Sequence, residues 1–480
     1  MIFPFPLPCF ATQLVPGMPY KFRFLIHWLR LNYRLVFGLV GIVFLFILLL
    51  RFNRPLLVTS LLGLNSASIY KVVFDAGSTG TRVHVFEFQY RGFSGNLVLE
   101  SIPVFAKVKG GLSDYATNPS GCRTGLIELI DQAKAAVPPE LQLTTEVVLL
   151  ATAGLRLLPQ DQAEALLGEA RYVLQNFSPF KVGSVDIIDG KVEAKLMFVM
   201  TTFVHNTDEQ VAIVDLGGGS VQLAYAAPVN TARESPDSLV YIDKSMPSST
   251  LYLNSWLGYG LVAFRMKALE TIDAGDPHPC VPEWTPRGTE YKYGTKKIPV
   301  IPRNGSSSVE ECLELIVKAL ETDKDDGKCK MITLSSSLQD RRQFLGKKDS
   351  SSFGQCGLSG SWLGPSEPNS IEEWKLFSYI FDLAQEEGLV AEGESEAKLT
   401  ASDFLNSAKV HCERNSAKHD EIEWWKCIDL MYVSALLTHG FRLEPDFPMK
   451  VTKRLVYDNR LELEAAWPLG AAIAAVKDEL

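Results

Sequence analysis

Two copies of one strand–turn–strand pattern predict an α/β fold of two related lobes that face a shared cleft. The first copy runs Lys71-Val-Val-Phe74, then Asp75-Ala-Gly77-Ser78-Thr79-Gly80-Thr81, then a Val- and Phe-rich return from Arg82 to Phe88. The second runs Val211-Ala-Ile-Val-Asp215-Leu-Gly217-Gly218-Gly219-Ser220-Val-Gln222-Leu-Ala-Tyr225. Asp75 matches Asp215, and Gly77 matches Gly217. Either hairpin alone is equally an ordinary Gly-containing turn. The echo favours a working pair, one phosphate-holding loop per lobe. Glycines let backbone N–H groups converge on an anion, Ser78, Thr79 and Thr81 add hydroxyl donors, and each Asp stands where it could hold a cation over the phosphates.

The remaining elements follow in order. Residues 1–34, with many Pro and Phe, read as an irregular tail. Residues 35–50 are 16 uninterrupted apolar positions between Arg34 and Arg51. With Arg51 snorkelling and Phe52 extending the stretch, 35–52 reads as a transmembrane helix. A cleaved signal peptide is the rival, but the stretch begins far in and no small-x-small site follows at once. Four basic residues precede it and two follow closely, so the positive-inside rule puts the N-terminus in the cytosol and the remainder on the far side. A short span suits thin early secretory membranes. Residues 53–68 read as a stem. Helical spacing covers 124–137, ended by Pro138-Pro139, and 158–176; residues 181–188 alternate as a strand. Beyond the second hairpin, 257–272, 374–387 and 422–438 read as helices, and 276–308 and 346–361 as irregular loops. Residues 461–476 are Ala- and Leu-rich.

Between the hairpins, Val147-Val-Leu-Leu-Ala151-Thr152-Ala153-Gly154-Leu-Arg156-Leu-Leu158 reads as a buried strand and its turn. Further blocks are Gly110-Gly111-Leu112-Ser113, Leu257-Gly258-Tyr259-Gly260, Cys427-Ile-Asp-Leu-Met-Tyr432 and Ala466-Trp467-Pro468-Leu469-Gly470. Together, over residues 70–476, they resemble the apyrase family, the nucleoside triphosphate diphosphohydrolases, of the membrane-anchored, plant-like kind. An ordered set of blocks is far more specific than one Gly-rich loop. The resemblance implies an actin- and sugar-kinase-like, ribonuclease-H-like fold with the active site between the lobes. It implies lobe I over 69–189, completed by 455–480, and a cysteine-rich lobe II over 190–454. It also implies hydrolysis of the terminal phosphate of nucleoside di- or triphosphates by an activated water.

Such hydrolysis needs a placed water, a base, charge neutralisation and phosphate positioning. The resemblance makes Asp75 and Asp215 the water-mediated anchors of Ca²⁺ or Mg²⁺. Gly77, Ser78, Thr79, Gly80, Arg82, Thr152, Gly217, Gly218, Gly219 and Ser220 are the expected phosphate contacts, and Ser220 and Gln222 are also expected to position the water. The family pattern around its base is Gly-x-Glu-Glu-Gly followed by a Trp. Here the chain reads Gly190-Lys191-Val192-Glu193-Ala194, then Phe198. Glu193 aligns with the base, while Val192, Ala194 and Phe198 depart. Without that pattern Glu193 reads as a solvent-facing helix glutamate. Arg156 is open between a phosphate contact and a carboxylate pair. Trp467 is open between core and a neighbour of the metal site, and Phe377 and Tyr379 between core and nucleobase stacking. His84 reads as structural.

The chain carries a formal charge of −9, with 46% hydrophobic and 21% charged residues. Its first 68 residues hold six basic and no acidic side chains, which leaves −15 on the rest. That balance argues against nucleic-acid binding. Eight cysteines suit an oxidising compartment. Six in the C-terminal half allow fifteen pairings by sequence alone. The resemblance implies Cys280–Cys312, Cys329–Cys356 and Cys412–Cys427; Cys9 lies in the tail and Cys122 has no evident partner. A zinc site is the alternative, though no C-x-x-C supports it. Asn304 and Asn176 head N-x-S acceptors for glycosylation. The chain ends Lys477-Asp478-Glu479-Leu480, an endoplasmic reticulum retrieval address read by a receptor. A single-pass type II membrane protein with a lumenal catalytic part in the endoplasmic reticulum or Golgi is the expectation, the plasma membrane the alternative. A nucleotide-gated chaperone-type ATPase module or an acceptor-dependent kinase would share the two-lobe plan. Oligomeric state, nucleobase and chain-length preference are not read.

Overall fold

The computed structural model describes residues 67–91, 95–205, 211–227, 240–242, 250–273, 275–294, 296–303, 309–322, 356–364, 366–413 and 425–478. The expected span at 35–52, the tail with Cys9, Cys329, Asn304 and the final two residues lie outside them. Among the described residues no helix is long and apolar enough to cross a membrane. Residues 88–98 group with residues 1–68 in one unit, where Gln89 Nε2 donates to Ser68 Oγ at 3.1 Å. Apart from residues 88–91 and 96–98, which end two strands of the first sheet, everything discussed below lies in the other unit, Ile69–Glu87 with Leu99–Leu480.

The first sheet comprises β1 (Ile69–Ala76), β2 (Gly80–Arg91), β3 (Asn96–Lys109), β4 (Glu146–Ala151) and β5 (Lys181–Ile187), in the order β3-β2-β1-β4-β5. β1 is central, so from Lys71 onward every residue of it is buried. It runs parallel to β4, and β4 parallel to β5. Helices α1 (Arg123–Ala136), α2 (Ala153–Arg156) and α3 (Gln160–Phe177) accompany this sheet, and Leu129, Leu166 and Val173 join Phe74 and Leu149 in its core.

Helix α4 (Gly190–His205) leads to the second sheet. Its strands are β6 (Val211–Leu216), β7 (Ser220–Ala227), β8 (Val240–Ile242), β9 (Thr250–Leu257), β12 (Glu373–Ser378), β13 (Glu396–Leu399) and β14 (Met449–Thr452). Two separate hairpins pair β10 (Glu290–Tyr293) with β11 (Lys296–Pro299), and β15 (Arg454–Tyr457) with β16 (Leu461–Glu464). The sheet order is β13-β14-β12-β6-β7-β9-β8. β6 and β7 repeat the plan of β1 and β2, and β12 runs parallel to β6 as β4 does to β1. Further helices are α5 (Leu261–Leu269), α6 (Val309–Ala319), α7 (Tyr379–Glu386), α8 (Ala401–Glu413), α9 (Lys426–Ala435) and α10 (Pro468–Asp478). α10 packs against both α4 and β1. A Cβ on Gly470 would run into the Leu196 carbonyl, so only glycine permits this approach.

Three readings change, and a fourth gains detail. Residues 374–387 are not one helix: β12 ends at Ser378 and α7 begins at Tyr379. Trp374 to Phe377 are all buried because β12 sits between β6 and β14, and ladder pairing outweighs the helical spacing. Residue 257 closes β9, and the helix expected over 257–272 starts only at Leu261, after Gly258 turns the chain at φ 86°. Residues 276–308 contain the β10–β11 hairpin, held by backbone pairing that polar Lys- and Tyr-rich strands do not advertise. In the 422–438 segment the described helix is α9, which runs into a π-helical turn at Leu436–Gly440. Bridges join Cys280 to Cys312 and Cys412 to Cys427, side by side, with Cys312 Sγ 3.8 Å from Cys427 Sγ. The partner expected for Cys356 is Cys329, outside the described residues. Cys122 is free and buried.

Candidate active site

Each aspartate is the last residue but one of its strand, just before the chain turns. Gly77 N–H donates to the Gly80 carbonyl at 3.1 Å, and Gly217 N–H to the Ser220 carbonyl at 3.0 Å. Another glycine presses on the back of each turn. A Cβ on Gly111 would lie 2.6 Å from the Gly77 oxygen and 2.7 Å from that of Ser78; one on Gly260 would strike the backbone of Gly218, Gly219 and Ser220. Gly111 and Gly260 share a conformation, φ −72° and ψ 160° against φ −69° and ψ 156°. Gly110 and Gly258 ahead of them both have φ 86°. The duplication therefore extends to the segments behind the hairpins.

That backing orients the second turn. The carbonyls of Gly217, Gly218 and Gly219 accept from the N–H groups of Leu261, Ala263 and Gly258 at 2.9, 2.9 and 2.8 Å. In a planar trans peptide the N–H opposes the C=O, so the N–H groups of Gly218 and Gly219 point away from α5. The first turn stands close by: a Cβ on Gly218 would lie 2.5 Å from Ser78 Oγ and 3.0 Å from Thr79 Cγ2.

Three buried carboxylates meet at this pair of turns. Burial pushes the Asp75 carboxyl up to about 6, against the pull of Arg82, whose Nη1 lies 3.1 Å from Oδ2; Asp215 and Glu464 add to the rise. The buried Asp75 Oδ1 meets no hydrogen-bond donor among the described residues. Asp215 is raised by burial too, opposed by the Ser378 hydroxyl, which donates to Oδ1 at 2.6 Å, and by Arg82. Ser378 holds this place with φ 62°, a region L-residues seldom occupy. Glu193, in the first turn of α4, is raised to about 8 by burial. Arg156 opposes that rise, while Asp215 and Asp75 reinforce it.

A hydrogen-bonded group fixes the Glu193 carboxylate. Arg156 Nη2 lies 2.5 Å from Oε2 and 3.4 Å from Ser220 Oγ. Gln222 Nε2 lies 3.1 Å from the same Oε2, 2.7 Å from Ser220 Oγ and 3.0 Å from Ser255 Oγ. A carboxyl poised near neutrality and oriented by neighbours is equipped to accept a proton. Asp75 and Asp215 repel each other and leave one oxygen without a donor, which fits a hard, oxygen-preferring divalent cation.

Glu193, Ser220, Gln222 and Arg156 thus come together in one cluster, and Asp75, Arg82 and Asp215 in its neighbour. Glu193 is buried rather than solvent-facing, because α4 packs on β7 and β9 and its first turn faces inward. Arg156 pairs with a carboxylate. Arg82, expected on phosphate, directs Nη1 to Asp75. Thr152 donates its N–H to the Ala76 carbonyl at 3.3 Å and heads the short α2, which carries Arg156. Phe377 is fully buried, a consequence of β12 being an interior strand, and is no stacking surface, although it stands outside the second sheet's main core. Tyr379 is half-buried against that core, and Trp467 is buried ahead of α10. His84 is packed with Phe86 and Phe105. Asn176 is exposed near the end of α3. Three participants were not read from the sequence. Ser378 was hidden inside a supposed helix and Ser255 in the unrecognised β9. Tyr293, whose hydroxyl lies 2.9 Å from where a Gly219 Cβ would be, sits in the unrecognised β10.

Comparison with known proteins identifies relatives of the chain. The GDA1/CD39 (nucleoside phosphatase) family matches residues 62–479. The chain is 33% identical over 438 residues to probable apyrase 2 of Oryza sativa subsp. japonica, covering 85% of each. It is 31% identical over 426 residues to ectonucleoside triphosphate diphosphohydrolase 5 of Gallus gallus, covering 84% of this chain and 86% of that one. Among solved structures, that of nucleoside triphosphate hydrolases from Neospora caninum matches with a TM-score of 0.50 at 13% identity, over 85% of this chain and 92% of the other. The last similarity speaks to the two-lobed α/β fold alone.

Proposed function

The chain belongs to the GDA1/CD39 (nucleoside phosphatase) family, and from that premise we propose that it transfers the terminal phosphate of nucleoside di- or triphosphates to water, with Glu193 as the base. The observation that carries this reading is the buried Glu193–Arg156–Gln222–Ser220 group beside two aspartates and between paired turns. Backbone N–H groups of Gly218 and Gly219, with the hydroxyls of Ser78, Thr79 and Ser220, bind phosphate oxygens. Glu193 Oε2 accepts the proton of the attacking water, and burial favours the neutral acid that results. Gln222 and Arg156 hold that oxygen in place. Asp75 and Asp215 hold Ca²⁺ or Mg²⁺, and such an ion, when bound, neutralises phosphate charge and favours the ionised aspartates.

The same reading takes the catalytic part to lie in the secretory lumen, anchored by the span at 35–52. The Cys280–Cys312 and Cys412–Cys427 bridges support an oxidising compartment. The test is phosphate release by the purified full-length protein in detergent, from a panel of nucleoside di- and triphosphates, with Ca²⁺, Mg²⁺ or a chelator. Release that needs no acceptor, is lost in chelator and returns with either ion is the expected result. No release from any nucleotide would overturn the hydrolase reading, and full release in chelator would overturn the metal's role.

A further inference from the structure

Lys107 lies near the end of β3, exposed, and is held by no hydrogen bond or ion pair among the described residues. Its stem crosses the first turn: a Cβ on Gly80 would lie 2.7 Å from Lys107 Cε and 3.6 Å from Nζ. Gly80 and Arg82 are two apart on β2, so they share a face of the strand. On that face Arg82 reaches into the site to Asp75. The missing Cβ of Gly80 therefore lets a second cation lie on the side that carries Arg82. The nearby carboxylates do not take it up: Asp75 is bonded to Arg82 and Asp382 to Lys453 at 3.2 Å, while Glu464 keeps a buried oxygen with no donor. Two like charges held together with one of them unpaired favour a polyanion.

The charges that act on Lys107 are Arg82, Glu464, Asp382 and Asp75; those that act on Glu193 are Arg156, Asp215 and Asp75. Asp75 is the shared neighbour, and no other of these charges acts on both base and lysine. In an in-line phosphoryl transfer the water and the leaving oxygen occupy opposite ends. We propose that Lys107 is a substrate-binding residue that contacts the phosphate behind the one transferred, and so reads the charge of the leaving nucleotide. This rests on the hydrolase reading above.

The test compares wild type, Lys107→Met, which keeps the stem, and Lys107→Arg, which keeps the charge. Full-length proteins are assayed with the di- and triphosphate of one nucleoside at low and high salt, and with inorganic pyrophosphate as competitor. Lys107→Met should raise KM about tenfold, more for the triphosphate, with kcat within about twofold. It should weaken pyrophosphate inhibition and flatten the salt dependence of KM. Lys107→Arg should restore all three. Unchanged KM and pyrophosphate inhibition in Lys107→Met overturns the inference while leaving the hydrolase reading intact. Equal losses in kcat in both variants would mark a structural role and overturn it too. A wild-type protein that hydrolyses no nucleotide takes the inference down with the reading it rests on.

Discussion

Burial is what raises the Glu193 carboxyl. The departures around it are tolerable for a physical reason. Val192 is 43% exposed, so a carboxylate at that position would stand in solvent, whereas Ala194 and Phe198 are buried and bear on packing alone. Glu193→Gln keeps the shape and removes the proton acceptor, so kcat should fall by about 10² to 10⁴ with KM little changed; a near wild-type kcat would put the base elsewhere. Stability gives an independent reading. The folded carboxyl is raised from 4.5 to about 8, so its contribution is fully present below 4.5 and is lost as pH rises through about 8. In chelator, the Tm of Glu193→Gln should therefore gain on wild type across that interval. Parallel Tm profiles would mean that the carboxyl is not raised.

Turns and the segments behind them act as units. Gly190 opens α4, and a Cβ there would strike Arg156 and lie 2.5 Å from Ser255 Cβ, both members of the group around Glu193. Gly190→Ala must displace one of them. A stability loss of about 1–3 kcal/mol and a fall in kcat larger than any rise in KM are expected, by thermal melting and phosphate release. Wild-type values in both would show that the group has slack. The same logic explains the misread elements. β12 and β9 carry no strong alternation because both faces are covered, and a buried apolar run looks alike in helix and strand.

At the scale of the whole molecule, the last helix joins the two halves of the candidate site, resting on the strand that carries Asp75 and on the helix that carries Glu193. α10 runs to Asp478 with Val476 buried and Lys477 exposed, so the Lys477–Leu480 address begins inside a helix. With an internal tag, the full chain should be found in the endoplasmic reticulum, and deletion of residues 477–480 should move it outward. Unchanged placement after deletion would refute the address.

Sequence by itself determined the two hairpins, the aspartates near the ends of their first strands and the glycines of their turns. These are local matters of pattern and backbone freedom, legible wherever a strand must stop and a chain must bend. The block order added Glu193, Gln222 and Arg156 as a set, without saying which touched which. Tertiary structure decided the rest. It paired Arg156 with Glu193, brought Ser378 to Asp215 from 163 residues away, and set Gly111 and Gly260 against the backs of the turns. Those contacts join residues distant along the chain, and a hydroxyl or a glycine carries no mark of its partner until packing has chosen one.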